Sequence, residues 1–268
     1  MKKLIILFLI SITTYAYEGP VRPVTLTNQK SAKLRVMTYN IHHCNPPSAG
    51  NNIEVDAIAR VINQEKPDLV ALQEVDVNTE RSGKGVDQAN ELARLTGMHY
   101  FFSKAIDHQG GDYGVAVLSR FPILESVRYT LPVDPAIGGE IRTIAAITVD
   151  VAKGKRIVFA STHLDLKEEN RTIQSELIIK HFGDSKLPMI LAGDFNALPD
   201  SKVIQYFDKT FVRSCQECGF TIPVKNPNRV IDFVMYKSGD AFENVSTRVI
   251  DEQYASDHLP VVADLTIK

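Results

Sequence analysis

Polar residues capable of chemistry recur where this chain's apolar segments end. Asn40 closes "LRVMTYN", Gln73 and Glu74 close "LVALQE", and His163 and Asp165 follow "IVFAST". Asp194 and Asn196 follow "MILAG", Asp232 lies within "VIDFVMY", and Asp257 and His258 precede the apolar run that begins at Leu259. Singly, each has an ordinary explanation: a turn, a helix cap, a solvated carboxylate or a packed imidazole. Asp232 between apolar neighbours is harder to dismiss, because a buried carboxylate is costly unless it is paired. Carboxylates, carboxamides and imidazoles repeated at strand ends are most simply explained by one shared cleft. Hard oxygen donors beside imidazoles suit a divalent cation and a phosphate, with the cation supplying positive charge that the chain lacks overall.

The elements that must position these groups can be read from periodicity. "KLRVMTYNI" alternates as a strand, and "PDLVALQEV" reads as a short buried one. "EVDAIARVINQEK" sets Val55, Ile58, Ala59 and Ile62 on one helical face, and "DQANELARLTG" is helical up to Gly97. "YGVAVLSRFPI" reads as a strand ended by Pro122, and Lys153-Gly154 marks a hairpin. A helix over 168–182, a strand "LPMILAGDF" and the late strands "VIDFVMY" and "LPVVADLTI" complete the pattern. Strands outnumber helices and connections mix hairpins with crossovers, which predicts mixed sheets with helices outside, in a single domain.

The segments "TYN", "LQEVD", "STHLD", "GDFN", "IDFV" and "SDHLP", in this order, resemble the endonuclease/exonuclease/phosphatase superfamily over about residues 33–268. The resemblance implies a four-layer α/β/β/α sandwich of two mixed β-sheets flanked by helices, an α+β fold. "YGVAVLSRFPI" and "RSGKGVDQ" further resemble secreted bacterial members described as metal-dependent hydrolases; one departure is Val115, where many relatives carry Asn. The implied activity is phosphoester hydrolysis with Mg²⁺ or Mn²⁺, by a phosphodiesterase or phosphatase. Glu74 is the best protein ligand for the metal, with Asn40 and Asp257 in or near its shell. Asp194 would orient and deprotonate water, Asn196 would hold that water or a phosphate oxygen, and His163 and His258 would donate to phosphoryl oxygens. Asp232 would accept from the second nitrogen of His258. Arg142, Arg81 and His43 are weaker candidates for substrate contact, and Arg120 reads as structural.

Residues 1–16 read as a signal peptide: Lys2 and Lys3, an apolar stretch from Leu4, then small residues with cleavage near Ala16. Residues 17–32 read as a lead-in, and the expected destination is periplasmic or extracellular. The formal charge of −2 becomes −4 without the two lysines, and there is no Trp, so nothing draws the chain globally to nucleic acid. A lipid headgroup or small phosphoester is therefore favoured as substrate over a nucleic acid, on a monomer without a stable membrane span. An exported nuclease of this fold, and a non-catalytic member that binds a phosphate ligand, are the rival readings. Cys215 and Cys218 in "CQEC" could form a zinc half-site, a redox pair or a short disulfide, and no second such pair is present.

Overall fold

Alternation of Leu34 and Val36 with Met37 and Tyr39 gives the first strand two apolar faces, so it must be covered on both sides. The structure is a computed structural model that describes residues 31–268 other than 238 and 240, so the expected signal peptide lies outside the described residues. Its strands are β1 (Ala32–Asn40), β2 (Leu69–Val77), β3 (His99–His108), β4 (Gly111–Ser119), β5 (Ile123–Leu131) and β6 (Arg142–Ala152). They continue with β7 (Lys155–His163), β8 (Met189–Asp194), β9 (Phe211–Arg213), β10 (Asp232–Lys237), β11 (Phe242–Val249) and β12 (Val261–Ile267). Four helices accompany them: α1 (Val55–Glu65), α2 (Gln88–Thr96), α3 (Glu168–Phe182) and α4 (Lys202–Phe207).

Two six-stranded sheets result, ordered β11-β12-β1-β2-β4-β3 and β5-β6-β7-β8-β10-β9. Between them lies an apolar seam in which Val36, Ala71 and Val117 meet Ile147, Phe159 and Ile190. The first sheet's other face packs Tyr39 and Leu72 against Ile58, Ile62 and Leu92 of α1 and α2. Phe195 and Phe233 do the same for the second sheet against Ile178 and Phe182 of α3 and Phe207 of α4. The architecture is therefore the expected α/β/β/α sandwich. Val115 belongs to the apolar seam, where a side chain without hydrogen-bonding groups fits.

Several strand boundaries differ from expectation, two of them instructively. The fourth strand stops at Ser119, before Pro122, because the Ser119 hydroxyl accepts from Phe121 N (3.0 Å) and donates to Phe121 O (2.7 Å), which turns the chain. Asp232 opens β10 and is not inside it. That position matters, because β10 runs antiparallel to β8 and Asp232 is the register partner of Asp194.

At the centre of each sheet one pair is parallel, β1 with β2 and β7 with β8, so both members of each pair end together. Their antiparallel neighbours β4, β6, β10 and β12 begin where those pairs end. One end of the sandwich thus gathers Asn40, His163 and Asp194 from strand ends, Glu74 from near the end of β2, Tyr113, Arg142 and Asp232 from strand starts, and His258 from just before β12.

Candidate active site

Glu74 reaches the site through a backbone irregularity. Val70 and Leu72 face the helices, Gln73 faces the seam, and a bulge between Gln73 and Val75 makes Glu74 the extra residue, at φ 58°. Val75 then faces the helices again, so the bulge re-aims one carboxylate without disturbing the rest of the strand. Gln73 spans the seam, donating to Ser161 Oγ (3.1 Å) and accepting from Thr38 Oγ1 (3.2 Å), which ties β2 to β7 beneath the site. Asn196 also has a left-handed backbone, at φ 48°. The Gly of "GDFN" has a packing reason: a Cβ on Gly193 would stand 2.1 Å from the Thr162 carbonyl oxygen on β7.

Asp194 is the hub. Its Oδ1 accepts from Asn196 N (2.8 Å) and its Oδ2 from Asn40 Nδ2 (3.1 Å). His163 Nε2 stands 3.5 Å and His258 Nε2 3.8 Å from the same Oδ2. Asn40 Nδ2 also donates to Glu74 Oε1 (3.0 Å), and Asn40 Oδ1 accepts from His42 N (3.1 Å). Asn40 therefore braces the two carboxylates across the sheets. Asn196 is anchored through Nδ2 to Leu164 O (2.9 Å).

His258 Nδ1 lies 3.0 Å from Asp232 Oδ2, both side chains being almost wholly buried. Burial opposes the imidazolium, but Asp232, and then Asp194, outweigh it and raise His258 to about 10. Burial, reinforced by the charge of Asp232, raises Asp194 to about 7. His163 behaves oppositely: burial, then the adjacent Arg142 charge, holds it well below the usual histidine range. The two histidines are electronically distinct, one charged and one neutral at neutral pH.

Asp257 is half-buried beside Ser256, whose Oγ donates to Asn40 O (2.7 Å). Arg142 is buried, with Nη1 3.3 Å from His163 Nδ1 and 2.9 Å from Glu140 Oε1. Arg81, expected as a weak substrate contact, lies over the Tyr113 ring, 5.4 Å from its centroid. Its Nε and Nη2 grip the buried Asp76 at 2.7 and 2.9 Å, because an unpaired carboxylate there would be costly. His43 sits in a turn where His42, His43 and Cys44 all have positive φ. Its Nδ1 is buried and unpartnered, and burial, then Arg81, lowers its pKa to about 4.

Tyr113 was not singled out by the sequence. It shares a strand face with Val115 and Val117 at the open end of the seam, and its phenol lies among Glu74, Arg142 and Glu140, with burial pushing its pKa up. Period two would have placed it there. Asp165 was noted but given no role; it accepts from Glu140 N and Lys167 N (both 2.7 Å) and pins the loop before Arg142. Cys215 and Cys218 form a disulfide away from these contacts.

Asp194, Asp232 and His258 offer ligand atoms all within 4.8 Å of one another, a buried group consistent with a metal site. Asp232 Oδ1 has no hydrogen-bond partner. The contact between His258 Nδ1 and the Asp232 carboxylate suits His258 to act as a donor more than as a metal ligand.

A family profile described as "Endonuclease/Exonuclease/phosphatase family" matches residues 37–258. The Drosophila melanogaster protein named "Putative neutral sphingomyelinase" is 27% identical over 283 residues, covering 88% of this chain and 61% of that protein; this chain thus spans under two thirds of that relative. The crystal structure of an endonuclease/exonuclease/phosphatase from Beutenbergia cavernae superposes with TM-score 0.74 at 28% identity, covering 88% of this chain and 72% of that one. A mannosyl-6-phosphatase from Bacteroides thetaiotaomicron shares the fold, with TM-score 0.71 at 20% identity over 87% of this chain and 99% of that one. By the extent of the profile match and the order of its segments, the chain belongs to the endonuclease/exonuclease/phosphatase family.

Proposed function

We propose that this protein is an exported, divalent-metal-dependent phosphodiesterase acting on a headgroup-like or other small phosphodiester. One observation carries the reading: Asn40, His163 and His258, from three separate segments, converge on a single oxygen of Asp194.

The donor set fits a hard cation. Glu74 and Asp257 are half-buried carboxylates beside the buried pair Asp194 and Asp232, an excess of negative charge that a cation would balance. Glu74, Asn40 and Asp257 would hold Mg²⁺ or Mn²⁺, which when bound neutralises phosphate charge and lowers the barrier to attack.

The chain's own groups do the rest. Asp194, its pKa drawn up to about 7, suits the task of orienting and deprotonating an attacking water near neutral pH. Asn196 fixes the Asp194 carboxylate through its backbone N–H. His163 donates from Nε2 without carrying charge, and His258 donates as a cation held by Asp232. General acid–base work supplies only about 10²–10⁴-fold, so fixed charge must supply most of the acceleration.

Surface chemistry supports an amphipathic substrate. Among the described residues, seven large apolar side chains are exposed, and five of them, Ile141, Leu166, Leu198, Phe220 and Tyr254, lie on the loops around the site. No described helix is long and apolar enough to cross a membrane. The name of the Drosophila relative points the same way.

The test is hydrolysis of a bis-aryl phosphodiester with and without chelator, followed by a panel of phospholipids, plasmid DNA and RNA. Metal-dependent turnover with preference for phospholipid is expected. Chelator-insensitive turnover would overturn the metal, and preferential cleavage of DNA or RNA would overturn the substrate class.

A further inference from the structure

The two buried histidines of the site have opposite partners on their Nδ1 atoms. On His258 that partner is the Asp232 carboxylate, 3.0 Å away, which can only accept when ionised. On His163 it is the Arg142 guanidinium, 3.3 Å away, which can only donate and does not lose its proton in proteins. We propose that Arg142 is a positioning residue whose guanidinium locks His163 in the tautomer with a bare Nδ1 and the proton on Nε2, so that the Nε2 donor is aimed into the pocket. The inference deepens the hydrolase reading and rests on it for its kinetic part only.

The geometry leaves little alternative. A proton on His163 Nδ1 would set N–H against N–H at 3.3 Å, and an imidazolium would add a second positive charge beside the first. Nε2, the remaining nitrogen, stands 3.5 Å from Asp194 Oδ2 and so faces the centre of the site. Arg142 is itself held in place. Its exposure is 6%, its Nη1 is ion-paired with Glu140 Oε1 at 2.9 Å, and the Glu140 backbone is pinned by Asp165 Oδ2 at 2.7 Å. One loop therefore sets the protonation pattern of a histidine on a neighbouring strand. A lysine here could donate to the same nitrogen, but without the rigid planar geometry of the guanidinium. A carboxylate here would turn His163 into a copy of His258.

The experiment uses the full chain with ¹⁵N-labelled histidine and long-range proton–nitrogen correlation spectra, in Mg²⁺ and in chelator. The expected wild-type spectrum shows a protonated-type Nε2 and a bare-type Nδ1 for His163, and a protonated-type, hydrogen-bonded Nδ1 for His258. In Arg142→Met the His163 tautomers should mix, and kcat should fall about 10²-fold with KM nearly unchanged. Arg142→Lys should restore the wild-type tautomer and part of kcat. Glu140→Gln, which spares the contact, should keep the tautomer.

A proton on His163 Nδ1 in the wild-type spectrum would overturn the proposal even if the Met variant failed to fold. So would unchanged His163 shifts in a folded Arg142→Met protein. A tenfold rise in KM with kcat intact would instead make Arg142 a direct phosphate contact and also overturn it. If the tautomer is as stated but no phosphoester is turned over, the hydrolase reading fails and this inference stands.

Discussion

Asp194 and Asp232 are register partners at the adjoining ends of two antiparallel strands, two buried carboxylates with one imidazole between them. His258 touches both, at 3.0 Å to Asp232 and 3.8 Å to Asp194. The imidazole between them offsets part of the cost of burying the pair.

A pH dependence of stability follows for the metal-free protein. The folded-state pKa of His258, about 10, lies above the ordinary 6.5. Its contribution is thus fully present below about pH 6.5 and lost as pH rises towards 10. Urea midpoints in chelator should fall between pH 7 and pH 10, and His258→Gln should flatten that slope. An equal slope in the variant would assign the loss to other groups.

Glu74 and Asp194 should respond differently to metal. Replacing Glu74 by Gln removes a charge from the proposed cation shell, so activity should fall and be partly restored by excess Mg²⁺. Asp194→Asn removes the proposed base, so kcat should drop about 10²–10⁴-fold with no rescue at any metal concentration. Titrating both variants with Mg²⁺ in one assay separates the roles.

The loop before Arg142 depends on Gly139. Its φ is +131°, and a Cβ there would lie 2.5 Å from Asn170 Nδ2 and 2.8 Å from Asp165 Oδ2. Gly139→Ala should therefore displace the loop, lowering kcat by about tenfold or more while the melting temperature falls only slightly, since no core side chain is removed. A wild-type kcat would show that the loop does not position the site.

Seam packing offers a stability control far from the chemistry. Phe159 is fully buried between the sheets, and Phe159→Ala should cost about 3–5 kcal/mol by cavity formation. Equilibrium unfolding in urea measures it directly.

How far the fold could be read depended on where each strand lies. Interior strands such as β1, β2, β7 and β8 are buried almost throughout, and their apolar runs show plainly in sequence. The elements not read include all four edge strands, β3, β5, β9 and β11. Partial exposure on both faces of β3, β5 and β11 erases the alternation that marks a strand. The six-residue α4 is too short to display a helical period. Asp194, Glu74 and His258 were legible because polarity at the end of an apolar run is conspicuous. The importance of Tyr113 and Asp165 was not, since a tyrosine in a strand and an aspartate in a loop are commonplace. Only the antiparallel return of β4, and the folding of the 132–141 loop onto Asp165, bring them to the pocket.

Gln73 and Asn40 reach across the seam to Ser161 and Asp194, so the reactive groups belong to neither sheet alone. Catalytic competence therefore doubles as a gauge of whether the two halves have docked in register. A slip of a single ångström between them would silence turnover while leaving the circular dichroism of each layer intact, and loss of activity on heating should run ahead of any spectroscopic sign of melting.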